Sequence, residues 1–406
     1  MTLIPVSLEK YRVIIIVAIA MLVGITYQLF IDIYLPAMPI MSKYFNINHD
    51  LIQRTMTIYL LSNGIAVLIF GFMSELWGRR KLMMSGLMVC LIGLILNIYT
   101  DNIYIFLLGR MLQGAGLGAS ILAVPVFMDT IKGRNLVIVF TIYEAIYSSV
   151  PIIAPFIGGL VLKNQDWRVI FLYLTFYLIF VLVLMILCIP ETLAKHNRTT
   201  FNHLFIKGVD VLKNKQFMGL TMIMIASWGG LVVYNLLGPF VFEDTFHFTG
   251  FQYGIITLLI GIFYTVGALS NSIFLLKIFS AITIMRASII TLCILSLILL
   301  IIILNIKSWI LAFIMLSLIS LTGGFLFINC ITLTLSLFPH ISGIANSLQG
   351  SICVLSWSFI TYLSSFVMPT LFNLAFIIFI LSILSLIIWL YLNSKITIII
   401  PKNIQE

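Results

Sequence analysis

Between residues 13 and 393 the chain passes through about a dozen long apolar runs. They lie near 13–41, 51–74, 82–100, 103–131, 136–163, 167–189, 216–243, 249–277, 281–304, 308–336, 341–369 and 373–393. Most reach the roughly 20 residues that a helix needs to cross a bilayer. In hydrocarbon every backbone N–H and C=O must be satisfied within the structure, so only helices and closed barrels span it. A barrel would show short segments of alternating polarity, and these runs are unbroken. Of the 406 residues 62% are hydrophobic and 9% charged, with a mean hydropathy of +1.20. Soluble domains carry about 25% charge. The expected fold class is therefore an all-α membrane protein with twelve transmembrane helices.

The five cysteines, Cys90, Cys188, Cys293, Cys330 and Cys353, all fall inside apolar runs and form no CxxC pair. Neither a disulfide framework nor a metal site is expected, and no cofactor. Lys10 and Arg12 precede the first run, which shows no small-residue cleavage site, so it reads as a retained helix. The net charge of +9 is distributed by side. Lys10, Arg12, Arg79, Arg80, Lys81, Lys132, Arg134, Lys195, Arg198, Lys207, Lys213, Lys215, Lys277, Lys395 and Lys402 fall in alternate gaps, and Arg286 leans the same way. The other gaps hold little beyond Lys43, Arg54, Lys163, Arg168 and Lys307. By the positive-inside rule both termini are cytoplasmic, and the charge reports topology, not nucleic-acid binding.

The longest polar segment, PETLAKHNRTTFNHLFIKGVDVLKNK, covers residues 190–215, at the midpoint. Its lysines are spaced like the solvated face of a short interfacial helix. This layout implies an N-terminal six-helix bundle (1–190), a cytoplasmic linker (191–215) and a C-terminal six-helix bundle (216–406). Paired repeats of this kind characterise secondary transporters, with the substrate site at the midplane. The Ile-rich tracts read as lipid-facing filler.

Three stretches carry a family resemblance. GFMSELWGRRK, residues 71–81, matches the loop pattern G-x-x-x-D-x-x-G-R-R-[KR], with Glu75 at the Asp position. GRMLQGAGLG, 109–118, matches R-x-x-Q-G-x-G, and VPIIAPFIGG, 150–159, matches G-P-x-x-G-G with Ala154 in place of the first Gly. The chain resembles the major facilitator superfamily, and within it the Bcr/CflA-type drug-resistance transporters. DIYLPAMP, DWRVIF, PETL, GPFVFEDTFHFT and FPHISGIANSLQG also fit. The resemblance implies two six-helix pseudo-repeats in the major facilitator fold and a bacterial inner-membrane drug:proton antiporter.

Each motif has a physical reading too. Gly71 and Gly78 permit close approach and a tight turn. Glu75 can face the positive end of a neighbouring helix, and Arg79 can reach Asp129; with Arg80 these residues would lock the cytoplasmic face. The plainer reading is charge anchoring in water. In the fifth run, Pro151 and Pro155 bend the helix while Gly158 and Gly159 admit a neighbour. The resemblance associates this motif with export and with sealing against proton leak; helix packing alone is the alternative.

Three charges lie clearly inside helices: Asp32, Arg110 and Glu144. Each costs roughly 2.5–3.5 kcal/mol at a helix centre even on lenient scales, so each is a functional candidate. Asp32 and Arg110 are expected at similar depth on cavity-lining helices, close enough to interact. Desolvation disfavours a charged carboxylate, and water or a guanidinium restores it. A site that opens alternately can thus take up a proton on one side and release it on the other. If proton and cargo compete for Asp32, their fluxes oppose. Alternatively, Asp32 caps the break before Pro36 and Pro39, and Arg110 bonds backbone carbonyls. Glu144 is a second proton site or snorkels to the interface. Tyr34, Gln113, Tyr147, Tyr234, Asn235 and Asn329 are candidates to line a substrate cavity, or else bond helix to helix.

No HExxH, GxSxG or P-loop pattern occurs, which argues against an enzyme or an ATP-driven pump. The expected function is proton-coupled export of small amphipathic molecules by one monomeric chain in a lipid bilayer. Proton-coupled import of an amino acid or organic acid, siderophore export, and a non-transporting receptor or channel on the same scaffold are the alternatives.

Overall fold

The computed structural model describes residues 6–193, 201–338 and 341–395. Lys195, Arg198, Pro339, His340 and Lys402 lie outside the described residues. Regular structure among the described residues is helical throughout. The first run breaks where its prolines stand: α1 (Val6–Asp32) gives way to a 3₁₀ turn (Leu35–Ala37) and then α2 (Met38–Tyr44). Helices α3 (His49–Trp77) and α4 (Arg79–Tyr99) follow, separated only by Gly78. The fourth run divides into α5 (Ile103–Leu117), a 3₁₀ turn and α6 (Ala123–Thr130), and α7 (Arg134–Leu162) and α8 (Arg168–Cys188) complete the first six spans.

Helix α9 (Phe201–Lys213) leads into α10 (Lys215–Phe240), which ends in a wider π turn. Helix α11 (Gly250–Ser270) continues through a second π turn to α12 (Leu276–Ile278). The last spans are α13 (Ala281–Asn305), α14 (Trp309–Ser336), α15 (Ser342–Ser365) and α16 (Leu371–Lys395). Among the described residues, eleven stretches are long and apolar enough to cross a membrane. The run at 341–369 is the exception. It forms α15, long enough to span, but seven serines with Asn346 and Gln349 dilute its apolar character.

Those hydroxyls have a purpose visible in the packing. Ser351 donates to the Gly64 carbonyl (2.7 Å) and Ser358 to the Thr57 carbonyl (3.0 Å), while Thr57 bonds Thr361 (3.1 Å), so α15 grips α3 through its backbone. Helices α7 and α11 form a second joint, closed by glycines. A Cβ on Gly159 would lie 2.6 Å from the Gly250 carbonyl, and one on Gly254 2.8 Å from that of Pro155. A third joint, α1 with α10, holds the residues considered below. All three connect the first six spans to the last six.

Sidedness of the isoleucine tracts is clear. In LILLIIILNI, Leu299 and Ile303 are buried while Ile298, Ile301 and Leu304 are exposed, a helical period with one face inward. The linker helix expected from its lysines is α9. Gly208 meets Phe72 of α3 and Leu348 of α15, and Val211 is buried with Phe217, Ala345 and Leu348. At the end of the bundle opposite Arg79, Lys43 pairs with Glu243, the His49 ring stacks on Phe240 (4.5 Å) and Arg54 lies over Phe366.

Candidate functional site

Helix α1 ends at Asp32, where the approaching prolines forbid another turn. The carboxylate is buried, 1% exposed. Oδ2 takes the side-chain amide of Gln28, one turn back, and Oδ1 accepts from Asn235 Nδ2 of α10 at 3.1 Å. Its side chain bonds no freed backbone group of the 3₁₀ turn, whose Ala37 N–H goes to the Tyr34 carbonyl instead. The capping alternative is not what this geometry builds.

Arg110 is fully buried, yet no ion pair joins it to Asp32 among the described residues. That expected contact is corrected by geometry. The guanidinium lies between two phenol rings, 4.1 Å from the centroid of Tyr34 and 4.4 Å from that of Tyr59. Nη1 donates to Gln113 Oε1 (2.7 Å) and to the Phe30 carbonyl (3.3 Å), while Nε and Nη2 have aromatic faces in place of hydrogen-bond partners. Planar guanidinium suits such a sandwich where an ammonium would not. The charge is held by quadrupoles, one amide and one carbonyl of α1.

Glu144 is exposed on α7 and has no ion-pair partner among the described residues. One turn on, Tyr147 is half-buried with its ring 5.7 Å from that of Tyr143. Three expected cavity residues are core instead. Tyr34 is wholly buried, its hydroxyl bonded to Thr55 (3.1 Å), because it forms one wall of the Arg110 sandwich. Gln113 is wholly buried beneath the same guanidinium. Asn329 of α14 donates to Asn271 Oδ1 (2.9 Å) and to the Phe325 carbonyl, a helix-to-helix bond. Tyr234 bonds Thr257 (3.0 Å) and borders a small cavity of about 40 Å³, lined also by Trp228, Tyr264 and Ser320. That volume admits water, not an amphipathic molecule. Asn235 faces Asp32 rather than open space.

Around the first loop motif, Gly78 adopts φ +101°, which a side chain rarely adopts. Arg79 bonds Glu75 (2.8 Å), Asp129 (3.3 Å) and the Ser74 hydroxyl. Glu75 does not face a helix N-terminus as expected; it is spent on Arg79, four residues along. Glu191, from the PETL stretch, takes that role by accepting the Arg79 N–H at 2.8 Å, and Thr192 bonds Asp129 (3.1 Å). Arg80 donates to the Ile186 carbonyl (2.8 Å). These partners belong to the first six spans, apart from Glu191 and Thr192, which open the linker just after α8. The contact across to the last six is Gly71, whose added Cβ would meet Ser347 at 3.1 Å.

The fifth-run motif sits inside α7, with Pro151 and Pro155 in the helix interior. A Cβ on Gly158 would lie 1.8 Å from the Ile33 carbonyl, and Gly159 abuts Gly250. The motif therefore holds α7 against both α1 and α11. Sequence reading missed Gln28, Tyr59 and Glu191. Spacing of four from Asp32 marks Gln28; nothing local marks the other two.

Comparison with known proteins agrees with this architecture. The family model of the major facilitator superfamily matches residues 20–361. The chain is 27% identical to the uncharacterized MFS-type transporter YdgK of Bacillus subtilis over 85% of its own length and 87% of the relative's. It is 25% identical to the chloramphenicol resistance protein CraA of Acinetobacter baumannii, covering 55% of this chain and 54% of that one. With the bicyclomycin resistance protein homolog of Haemophilus influenzae it shares 24% identity over 55% and 57%. The chain thus spans about half the length of several curated relatives that it matches. Among solved structures, the partially occluded, inward-open xylose transporter XylE from E. coli superposes with a TM-score of 0.71 at 13% identity, over 95% of this chain and 98% of that one. With a matching model over most of the sequence and a fold shared almost end to end, the chain belongs to the major facilitator superfamily.

Proposed function

We propose that the chain is a proton-coupled antiporter that exports small amphipathic molecules across a bacterial inner membrane by alternating access. One observation carries the reading. Asp32 is buried at the joint between α1 and α10, bonded to two amides and in no ion pair among the described residues. A buried carboxylate without a paired cation is expensive, and a proton is the one counter-charge that can follow it through a conformational cycle. Arg110, stacked between Tyr34 and Tyr59 one carbonyl away on α1, fixes a positive potential near the site without consuming the acid. The relatives named for chloramphenicol, bicyclomycin and multidrug resistance support an exported, drug-like cargo.

In this reading residues 1–190 and 216–406 are the two rocking bodies and 191–215 the linker, with the basic face and both termini in the cytoplasm. Glu144, exposed on α7, serves as a second cation or proton site, with Tyr147 and Tyr234 beside the pathway. The Gly71–Arg80 cluster with Asp129 holds the loop of the first body rigid so that its contacts with the second make and break together. One chain suffices, with lipid, proton and cargo as its partners.

Transport in inverted membrane vesicles tests it. With an imposed proton gradient, addition of chloramphenicol or an aromatic cation releases protons from wild-type vesicles and not from Asp32→Asn vesicles. Undiminished proton-linked transport by Asp32→Asn, or accumulation of the compound in energised whole cells, counts against the proposal; the latter outcome indicates import.

A further inference from the structure

Asp32 stands on the last turn of α1 and Asn235 in the last two turns of α10. The bond between them is one-sided. Asn235 Nδ2 donates to Asp32, while Asn235 Oδ1 is buried without any hydrogen-bond partner. An orphaned buried acceptor costs more than an ordinary hydrogen bond returns, so its presence at this joint calls for a reason.

Protonation supplies one. A carboxylate only accepts, whereas a carboxylic acid adds an O–H donor. A neutral Asp32 can donate to Asn235 Oδ1 while its other oxygen accepts from Asn235 Nδ2, closing a planar acid–amide ring. The orphan is then satisfied, and Gln28 keeps its own bond. In the proton-uptake step an O–H bond of hydronium breaks, an O–H bond forms on Asp32, the two opposite charges cancel and water leaves.

We propose that Asn235 reads the charge of Asp32, joining α10 to α1 through two hydrogen bonds when the acid is neutral and through one when it is bare. This rests on the proton-coupling reading of Asp32. Proton loss then loosens the joint between the first and last six spans, and proton uptake tightens it. A ligand or proton shifts such an equilibrium by its differential interaction with the two states, and the second hydrogen bond is that difference.

The neighbours do not compete for the role. Tyr27 on α1, Tyr59 on α3, Tyr147 on α7 and Tyr253 on α11 interact electrostatically with Asp32. Phenols ordinarily keep their protons to about pH 10. Arg110 on α5 gives its hydrogen bonds to the Phe30 carbonyl and Gln113, not to Asp32. Glu144 is exposed one turn from Tyr147 and is removed as a variable by Glu144→Gln.

The test measures distance in the full chain in lipid nanodiscs, with a spin-label pair at Tyr104 and Met368, both exposed at the end of the bundle where α1 and α10 meet α2 and the π turn. In a Glu144→Gln background the closed-to-open ratio falls as pH rises. Asp32→Asn, whose amide can form the same two-bond ring, holds the ratio at its acid value at every pH. Asn235→Leu lowers the acid-side ratio about tenfold, the worth of one or two net hydrogen bonds, and flattens the pH response. The isosteric Asn235→Asp forces two carboxylates to share one proton, so the midpoint moves to higher pH. The inference is overturned if Asn235→Leu merely scales the ratio equally at all pH values, or if Asn235→Asp, which preserves side-chain volume, keeps the wild-type midpoint. If instead Asp32→Asn itself remains pH-responsive, the proton-coupling reading fails.

Discussion

Gly158 of α7 meets the carbonyl oxygen of Ile33 so closely that a Cβ would sit 1.8 Å from it. No rotation relieves that overlap, because both groups are backbone. Gly158→Ala must push α7 off the turn that follows Asp32, at a cost of about 1–3 kcal/mol for overpacking. Gly230→Ala, whose Cβ finds Ile378 at an ordinary 3.6 Å, is the control. Thermal unfolding followed by size-exclusion chromatography should show a clear drop for Gly158→Ala and little for Gly230→Ala. Equal behaviour of the two would refute the crossing.

Charge alone does not explain Arg110. Arg110→Lys keeps the charge but loses the flat group between Tyr34 and Tyr59 and the bond to Gln113. The expected outcome is severe loss of transport and stability, of the order of 3–5 kcal/mol seen when a buried charge loses its partners. Tyr34→Phe keeps the ring and removes only the bond to Thr55, so it should cost about 1 kcal/mol. Ranking the two variants by unfolding in detergent checks the sandwich; a mild Lys variant would remove the argument.

At the α3–α4 loop, two costs are separable. Gly78→Ala suffers its positive φ and a clash with Glu191, 2.4 Å from the added Cβ. Glu191→Ala alone uncaps the Arg79 N–H and weakens the charge at a helix start by about 0.3–1 kcal/mol. In the double variant the clash is gone and the backbone strain stays. The double-mutant cycle should therefore be less than additive in unfolding free energy, and strict additivity would show that Glu191 and the loop do not touch.

How α15 holds α3 can be weighed against the ion pairs at the bundle's end. Ser358→Ala removes a buried bond to the Thr57 carbonyl and should cost about 1 kcal/mol. Glu243→Gln breaks a pair whose lysine is 70% exposed, and exposed pairs contribute roughly 0–1 kcal/mol. The serine variant should be the more damaging in chemical unfolding, and it should stay so at high salt.

Much of this architecture was written in hydrophobic runs, because a membrane demands helices of one length and spares the reader the choice between helix and strand. Loop chemistry at Arg79 was legible because its motif sits in one short loop, and Asp129, fifty residues on, ends a span on the same side. Helix rotation was not. A charge inside a span announces that it needs partners without naming them, so Asp32 and Arg110 were expected to meet and instead found amides and phenols. Tyr34 and Gln113 looked like cavity walls for the same reason. Asn235 and Glu191 act across more than a hundred residues of chain, beyond any local pattern.

The serine face of α15 also bears on how the chain is made. A segment that grips its neighbour by hydroxyls partitions poorly into lipid on its own, since insertion at the translocon is decided largely by side-chain transfer energy. Helix α3 is synthesised long before α15 and already offers the Gly64 and Thr57 carbonyls that accept those hydroxyls. The eleventh span thus finds its hydrogen-bond acceptors already laid down in the second, some three hundred residues earlier in the chain.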